Sequence, residues 1–572
     1  MKDRSVWAAA GCALGGAMAY AGLAGWPVQQ GYQLIWVVLM AIVFIETRRF
    51  WQEADRRAQI CFGLLGCLLL LAMGLGRRLE TAEQTGLSGL GICAMLALLW
   101  GPAAGGVLLR LCRWMEQSAP GKEARVRRVF WVSFLVLFAC WIPVQLAYFP
   151  CCFGYDMNGQ IGQVNNSAYN SHHPLAHTLL VGAFYVAGGR LGSYTAGIWA
   201  FAIFQMLSLA AAMAYALAYL AQLRCPRWLR LALTVLFAVG PQHAVMSIGC
   251  TKDVPFAILM TLGIVELHKL WRDPQRLRSP KIWLRVVLIL AGACLMRNNA
   301  SMAIAAFVVF ALLLMGRGHR LRVTALILSA LLLSSVTNTA LKHITHAQEG
   351  AINEMLSVPA QQLARIYDRY GFDVPAGYEV VEWVPHADMY DPARADFTKQ
   401  HLRITRDGEL FGFLKFWVRE FFHYPIEYID AFLLNAKGYW YPDDTSFATI
   451  YGQWPEAYVG AFITEQYPIR VTFTRFLPRL REAVEYLFVQ NHYQRVPGLS
   501  TLIHPATYTW MLLTAMAWAI WRRRRAALAA GCMLLMYLLT LFLGPCALVR
   551  YCYYLMIGAP FLMGLMACRE QA

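Results

Sequence analysis

Charge is what this sequence has least of. Asp, Glu, Lys and Arg make up 15% of its 572 residues, against about 25% in a typical soluble domain. The shortage excludes an ordinary water-soluble fold, because apolar runs recur along most of the length. Many reach the roughly 17–25 residues that cross a bilayer as a helix. The alternating segments of about 10 residues that mark a membrane barrel are also missing. Helices satisfy every backbone group internally, so they are the form expected. No CxxC pair at zinc-site spacing occurs among the 15 cysteines. Most lie scattered and read as small hydrophobes. Cys151 and Cys152 are the exception, since they fall in an expected external loop and are placed to pair with another cysteine as a disulfide. Internal repeats and low-complexity tracts are absent.

What is abundant is apolar residue, 58% of the chain, with a net charge of +17. The excess is not one patch, which argues against a nucleic-acid partner. It falls in short clusters between apolar runs, the positive-inside pattern. Fourteen spans are expected: 6–26, 31–47, 59–76, 87–112, 129–149, 194–221, 231–249, 254–271, 284–297, 300–316, 321–338, 503–521, 526–543 and 549–567. Ala19-Tyr20-Ala21 faintly matches a signal-peptidase site, but the apolar stretch before it is long, so the first span is expected to stay uncleaved. With both termini in the cytoplasm, nearly every Lys/Arg cluster lands inside, including Arg48-Arg49, Arg127-Arg128 and the run Arg522 to Arg525. Arg77-Arg78 is the exception.

The expected fold class is therefore an all-α polytopic protein of the cell membrane with about 14 transmembrane helices. N-terminal helices occupy 1–128, and a second membrane module, 129–338, carries a first external loop at 149–193. A mixed, mostly helical extracytoplasmic domain spans 339–502, and the last helices fill 503–572. In that domain Asn353 to Tyr370 is amphipathic, and exposure accounts for Gln361, Gln362 and Arg365. Tyr439, Trp440 and Tyr441 read as a membrane-interface platform or a surface for stacking sugars.

The first external loop is rich in Gly and Asn, and Asp156 is its one acid. A lone carboxylate there can take a proton from a nucleophilic hydroxyl or hold a divalent metal; it can equally make an Asx-turn. Pro174 favours a helix start, which puts His172 and His173 at a helix N-terminus, where phosphates bind. Pro174 to Gly189 is read as a helix lying at the membrane surface. His173 and His177 have zinc-ligand spacing with Asp156 as a third group, without the metalloprotease Glu. Thr251 or Asp253 suits a helix cap; Lys252 suits phosphate, with Asp253 as a second carboxylate. Arg297-Asn298-Asn299 interrupts an apolar region, where a charge is costly and usually functional or paired. Arg550 and Tyr551 open the last span. Arginines match phosphate bidentately, so these cations suit a lipid phosphate at the outer surface. The sequence requires no cofactor, and a divalent metal is compatible with it.

Together these residues resemble the GT-C superfamily of membrane glycosyltransferases, closest in style to protein O-mannosyltransferases and the aminoarabinose transferases that modify lipid A. Tyr155-Asp156 stands where those enzymes carry an acid in a first external loop. His173-Pro174-Leu175 matches their juxtamembrane helix, and Asp253 with Pro255 matches an Asp at the outer start of a later span. Arg297 corresponds loosely to a later Arg. The motifs cover 149–315 and 545–560. The chain departs from the pattern in having Met157 after Asp156, with no paired acid, and four additional N-terminal helices. The resemblance implies a sugar transferred from a polyprenyl-phosphate-linked donor to a glycan, lipid or protein acceptor. Asp156 would be the base, and His172, Lys252, Arg297 or Arg550 would hold the phosphate. A lipid-linked glycan polymerase or ligase is the neighbouring enzyme class. A lipid or solute transporter and a non-catalytic scaffold are the other readings.

Overall fold

Apolar runs with no water to bond their amides close their hydrogen bonds along the chain, and the computed structural model is accordingly all-α. It describes residues 2–24, 33–121, 125–153, 156–400, 402–404, 408–444 and 470–568. The helices are α1 (Lys2–Ala24), α2 (Gln33–Glu53), α3 (Arg56–Ala82), α4 (Leu87–Gln117), α5 (Val126–Ala147), α6 (Met157–Asn166), α7 (Leu175–Arg190), α8 (Tyr194–Gln222), α9 (Arg227–Val239) and α10 (Pro241–Ile248). There follow α11 (Asp253–Arg272), α12 (Pro280–Met296), α13 (Ala300–Leu314), α14 (Arg320–Thr345) and α15 (Ser357–Tyr370). Later ones include Pro505–Trp521, Arg525–Leu541 and Tyr553–Met566.

Helices lie at each of the fourteen apolar stretches, but with different lengths. Among the described residues six are long and apolar enough to cross a membrane, or seven if the pair α9 and α10 is one span. That pair bends by 51° where Gly240 meets Pro241: proline lacks the amide to continue the ladder and pushes its predecessor out of the helical region. The expected single span 231–249 is thus broken. α3 continues past its expected end to Ala82, so Arg77 and Arg78 sit within the helix and not in a loop.

Close packing of α3 on α4 depends on missing side chains. A Cβ on Gly66 would lie 2.1 Å from the Gly101 carbonyl oxygen, and one on Gly105 would lie 2.2 Å from that of Phe62. Gly101 and Gly105 are four apart, the small-xxx-small spacing that lets membrane helices touch through their backbones.

The bundle has two chemically different ends. At one, the Trp521 indole donates to Asp55 at 2.8 Å, Trp518 donates to Glu116 at 2.7 Å, and Gly121 N–H reaches Arg224 O at 2.9 Å. The basic groups Arg113, Arg224 and Arg522 gather here. α3 has 27 residues and a length of about 40 Å, and beyond its far end lies the α3–α4 turn. There Thr85 donates from its amide at 3.0 Å and its hydroxyl at 2.6 Å to Asp430. Arg365 reaches Glu83 O, and Arg369 reaches Gln84 at 3.0 Å.

These contacts seat a second, smaller core built from Leu363, Ile366, Val380, Phe413 and Tyr428. The exposed reading of α15 fails here. Gln361, Gln362 and Arg365 are buried, because Asp391 O, Tyr428 O, Trp417 and Asp368 close over the polar side of the helix. Tyr439, Trp440 and Tyr441 are buried too and form no open platform. Tyr439 donates to Cys546 O, Trp510 donates to Trp440 O, and Tyr441 packs against Gly76.

Candidate functional site

Two strands of two residues bring distant segments together. β1 (Cys152–Phe153) and β2 (Gly249–Cys250) pair in parallel, with Cys152 opposite Gly249 and Phe153 opposite Cys250. β1 leads toward Asp156 and α6, and β2 leads into Thr251-Lys252-Asp253 and α11. Lys252 occupies the N-cap position of α11 without a side-chain cap bond. Neither Thr251 nor Asp253 caps it, since Asp253 is taken by two arginines.

The charged groups form one chain of contacts. Lys252 Nζ lies 2.8 Å from Asp156 Oδ2, and Arg550 Nη1 lies 3.1 Å from the same oxygen. Arg550 Nη1 also reaches Asp253 Oδ2 at 3.4 Å. Arg297 Nη1 holds the other Asp253 oxygen at 2.7 Å. Arg297 is fixed in turn: its Nε donates to the Tyr537 hydroxyl at 2.8 Å, and its guanidinium lies 4.6 Å from the Tyr551 ring centroid. The Arg550 guanidinium lies 4.9 Å from the same ring. Asp253, Arg297 and Arg550 are buried, and the side chains of Asp156 and Lys252 are only 10% and 13% exposed.

Electrostatics follow from this packing. Burial works against a charge on Asp156, but Arg550 and Lys252 outweigh it and hold the carboxyl well below the ordinary carboxylate range. Burial, reinforced by the Lys252 cation, pushes His173 down to about 3. Its ring is therefore neutral near pH 7, and its Nδ1 sits 3.1 Å from Lys252 Nζ, placed to accept. Three cations against two carboxylates and a neutral imidazole leave the cluster one unit positive. Among the described residues the Nε–H of Arg550 finds no acceptor, and a buried donor left so costs free energy until one is supplied.

Beside the cluster is a cavity of about 700 Å³ whose walls include His172, His173, Asn298, Ser334, Asn338 and Lys342. Leu295, Met302, Ala305 and Leu331 from α12, α13 and α14 make its apolar side. His172 stands apart from the ion chain, with Nδ1 3.9 Å from Glu354. Asn298 lines the cavity, while its neighbour Asn299 is the one tied to the network, through Thr540 at 2.9 Å and Tyr537 at 3.3 Å. Tyr155 lies outside the described residues.

The zinc arrangement does not form. His177 Nδ1 is 3.1 Å from Gln160 Oε1, and among the described residues no three His, Cys, Asp or Glu side chains gather where a metal ion would be held. Sequence reasoning missed Tyr537 and Lys342. Both are ordinary helix residues in the sequence, and only the packing brings them to the site.

Residues 164–572, more than half of the chain, match a family of unknown function, DUF6020. The chain belongs to this family. The match begins after Asp156 and takes in Lys252, Arg297 and Arg550, so four of the five groups that interlock at the cluster lie inside it. α1 to α5 lie outside it. No curated protein and no solved structure matches the chain.

Proposed function

We propose that the chain is a multi-pass membrane glycosyltransferase of GT-C type, with its fourteen apolar stretches spanning or entering the bilayer and the Asp156 end on the outer face. The basic groups at the Asp55 end support that orientation. The donor is a sugar on a polyprenyl phosphate, and the acceptor is a glycan, lipid or protein hydroxyl. One observation carries this reading. A buried cluster has three cations, one unit of excess positive charge and an Arg550 Nε–H with no acceptor among the described residues, and it meets a cavity with one apolar wall through His173. A phosphodiester anion on a long apolar chain matches each of those features.

Chemistry follows from competition for the cations. With Lys252 and Arg550 both on its carboxylate, Asp156 is a weak base. A phosphate entering from the cavity draws on the same two groups. As they turn to it, Asp156 loses compensating charge and its proton affinity rises. Asp156 then takes the proton of the acceptor hydroxyl as that oxygen attacks the anomeric carbon and the sugar–phosphate bond breaks. Arg297 and Arg550 stabilise the charge on the departing phosphate; Arg297, already fixed by Asp253, Tyr537 and Tyr551, needs little reorganisation, and Arg550 turns from Asp156 while keeping Asp253. Residues 339–502 border the cavity through Glu354 and Met355 and bear on acceptor choice.

The test is mass spectrometry of envelope glycans and lipids from cells with and without the protein. A sugar modification that disappears with the gene supports the reading; unchanged glycans and lipids oppose it. The broken helix pair α9–α10 favours a second reading, since transporters use discontinuous helices. In that case the purified protein moves substrate across liposomes with every sugar–phosphate bond intact.

A further inference from the structure

The strand pair that assembles the site also puts two thiols on one face, one pleat apart. Side chains alternate along a strand, so Cys151 shares a face with Phe153, and Phe153 stands opposite Cys250. Packing follows the same division. Cys151, Phe153 and Cys250 belong to one core with Met157 and Ile161, whereas Cys152 packs with Ala147, Tyr148 and Ile248. The Cys151 and Cys250 thiols are within hydrogen-bonding reach of each other, and both are unbridged here.

We propose that Cys151 and Cys250 are a disulfide-forming pair that locks the loop carrying Asp156 to the turn carrying Lys252. Cys151 precedes Asp156 by five positions and Cys250 precedes Lys252 by two. The bond therefore clamps both roots of the 2.8 Å ion pair. Its formation releases two protons and two electrons from the two thiols. The electrons go to a disulfide of the thiol–disulfide exchange class, which is reduced to two thiols. Exchange takes place during folding, before the pair is buried. The inference rests on the outer-face placement proposed above, because such bonds persist in oxidising compartments. With the bond in place, Lys252 keeps its distance from the Asp156 loop when a phosphate draws on it; without it, loop and turn separate more readily.

The experiment is peptide mapping of the full chain in native membranes. Membranes are quenched in acid, denatured with N-ethylmaleimide present, and digested without reductant. A linked Cys151–Cys250 peptide pair is expected, split by reductant, retained in Cys152→Ser and lost in Cys250→Ser. Recovery of both residues as maleimide adducts overturns the proposal, as does a link through Cys152. Purified protein exposed to oxidised glutathione then tells which ground failed. No link there refutes the geometry, and a link only there refutes the oxidising location. Sugar transfer plays no part in this readout. A linked pair in a protein inert toward lipid-linked sugars would sink the transferase reading alone.

Discussion

Lys252→Met, Asp156→Asn and the double variant form a cycle that measures the contact at the centre of the site. Lys252 and Asp156 are 2.8 Å apart, and at an effective dielectric constant of about 20 their gross attraction is about 6 kcal/mol. Desolvation offsets much of this. Removing one partner of a buried pair costs about 3–5 kcal/mol, because the other is left uncompensated. Lys252→Met falls at the low end of that range, since Asp156 keeps Arg550 at 3.1 Å. Asp156→Asn falls at the high end, since Lys252 and Arg550 then face each other across a neutral amide. The double variant removes both mismatched charges and loses less than the sum, with a coupling of about 1–3 kcal/mol. The assay is thermal unfolding in detergent at one fixed scan rate, supported by the abundance of each variant in membranes. Additivity within about 0.5 kcal/mol would refute the ion pair.

Acidification has a defined sign. His173 is held near 3 by burial and Lys252, so below its ordinary value of about 6.5 the unfolded chain binds the extra proton. The stability due to its neutral ring is full above pH 6.5 and is lost progressively as pH falls toward 3. Asp156, held low by its cations, contributes stability above the ordinary carboxylate range that disappears at still lower pH; melting temperature against pH checks both. Asp430→Ala leaves the Thr85 amide without its acceptor at a cost of about 1–3 kcal/mol. Limited proteolysis should then cut residues 357–428 faster while the cores of the spans stay protected. Gly66→Ala drives a methyl into the Gly101 carbonyl, so membrane yield should fall, whereas Gly91→Ala, which meets nothing within 4 Å, should express normally.

Much of this was legible because charge is scarce. Asp156, Lys252, Asp253, Arg297 and Arg550 stand out as charged groups at the ends of apolar runs, where burial without a partner is expensive, and the structure gives each one a partner among the others. Gly240-Pro241 and the Gly101–Gly105 spacing carry local signals too, but the apolar run 231–249 hides the break and reads as one span. α15 shows the limit. Its apolar stripe is plain in the sequence, but the burial of Gln361, Gln362 and Arg365 depends on Asp391, Trp417 and Tyr428, which arrive from elsewhere in the chain. Pairing among Asp156, Lys252 and Asp253 likewise depends on a two-residue strand register too short to leave any periodic trace.

The most direct test follows one bond. Purified protein is given a polyprenyl-phosphate sugar and an envelope extract as acceptor, and release of free polyprenyl phosphate is measured by mass spectrometry. Release is expected from the native chain, with a loss of at least about 100-fold in Asp156→Asn per molecule that remains folded and inserted. Transfer at a near-native rate by Asp156→Asn, or an intact donor after exposure to the native protein, would contradict that expectation.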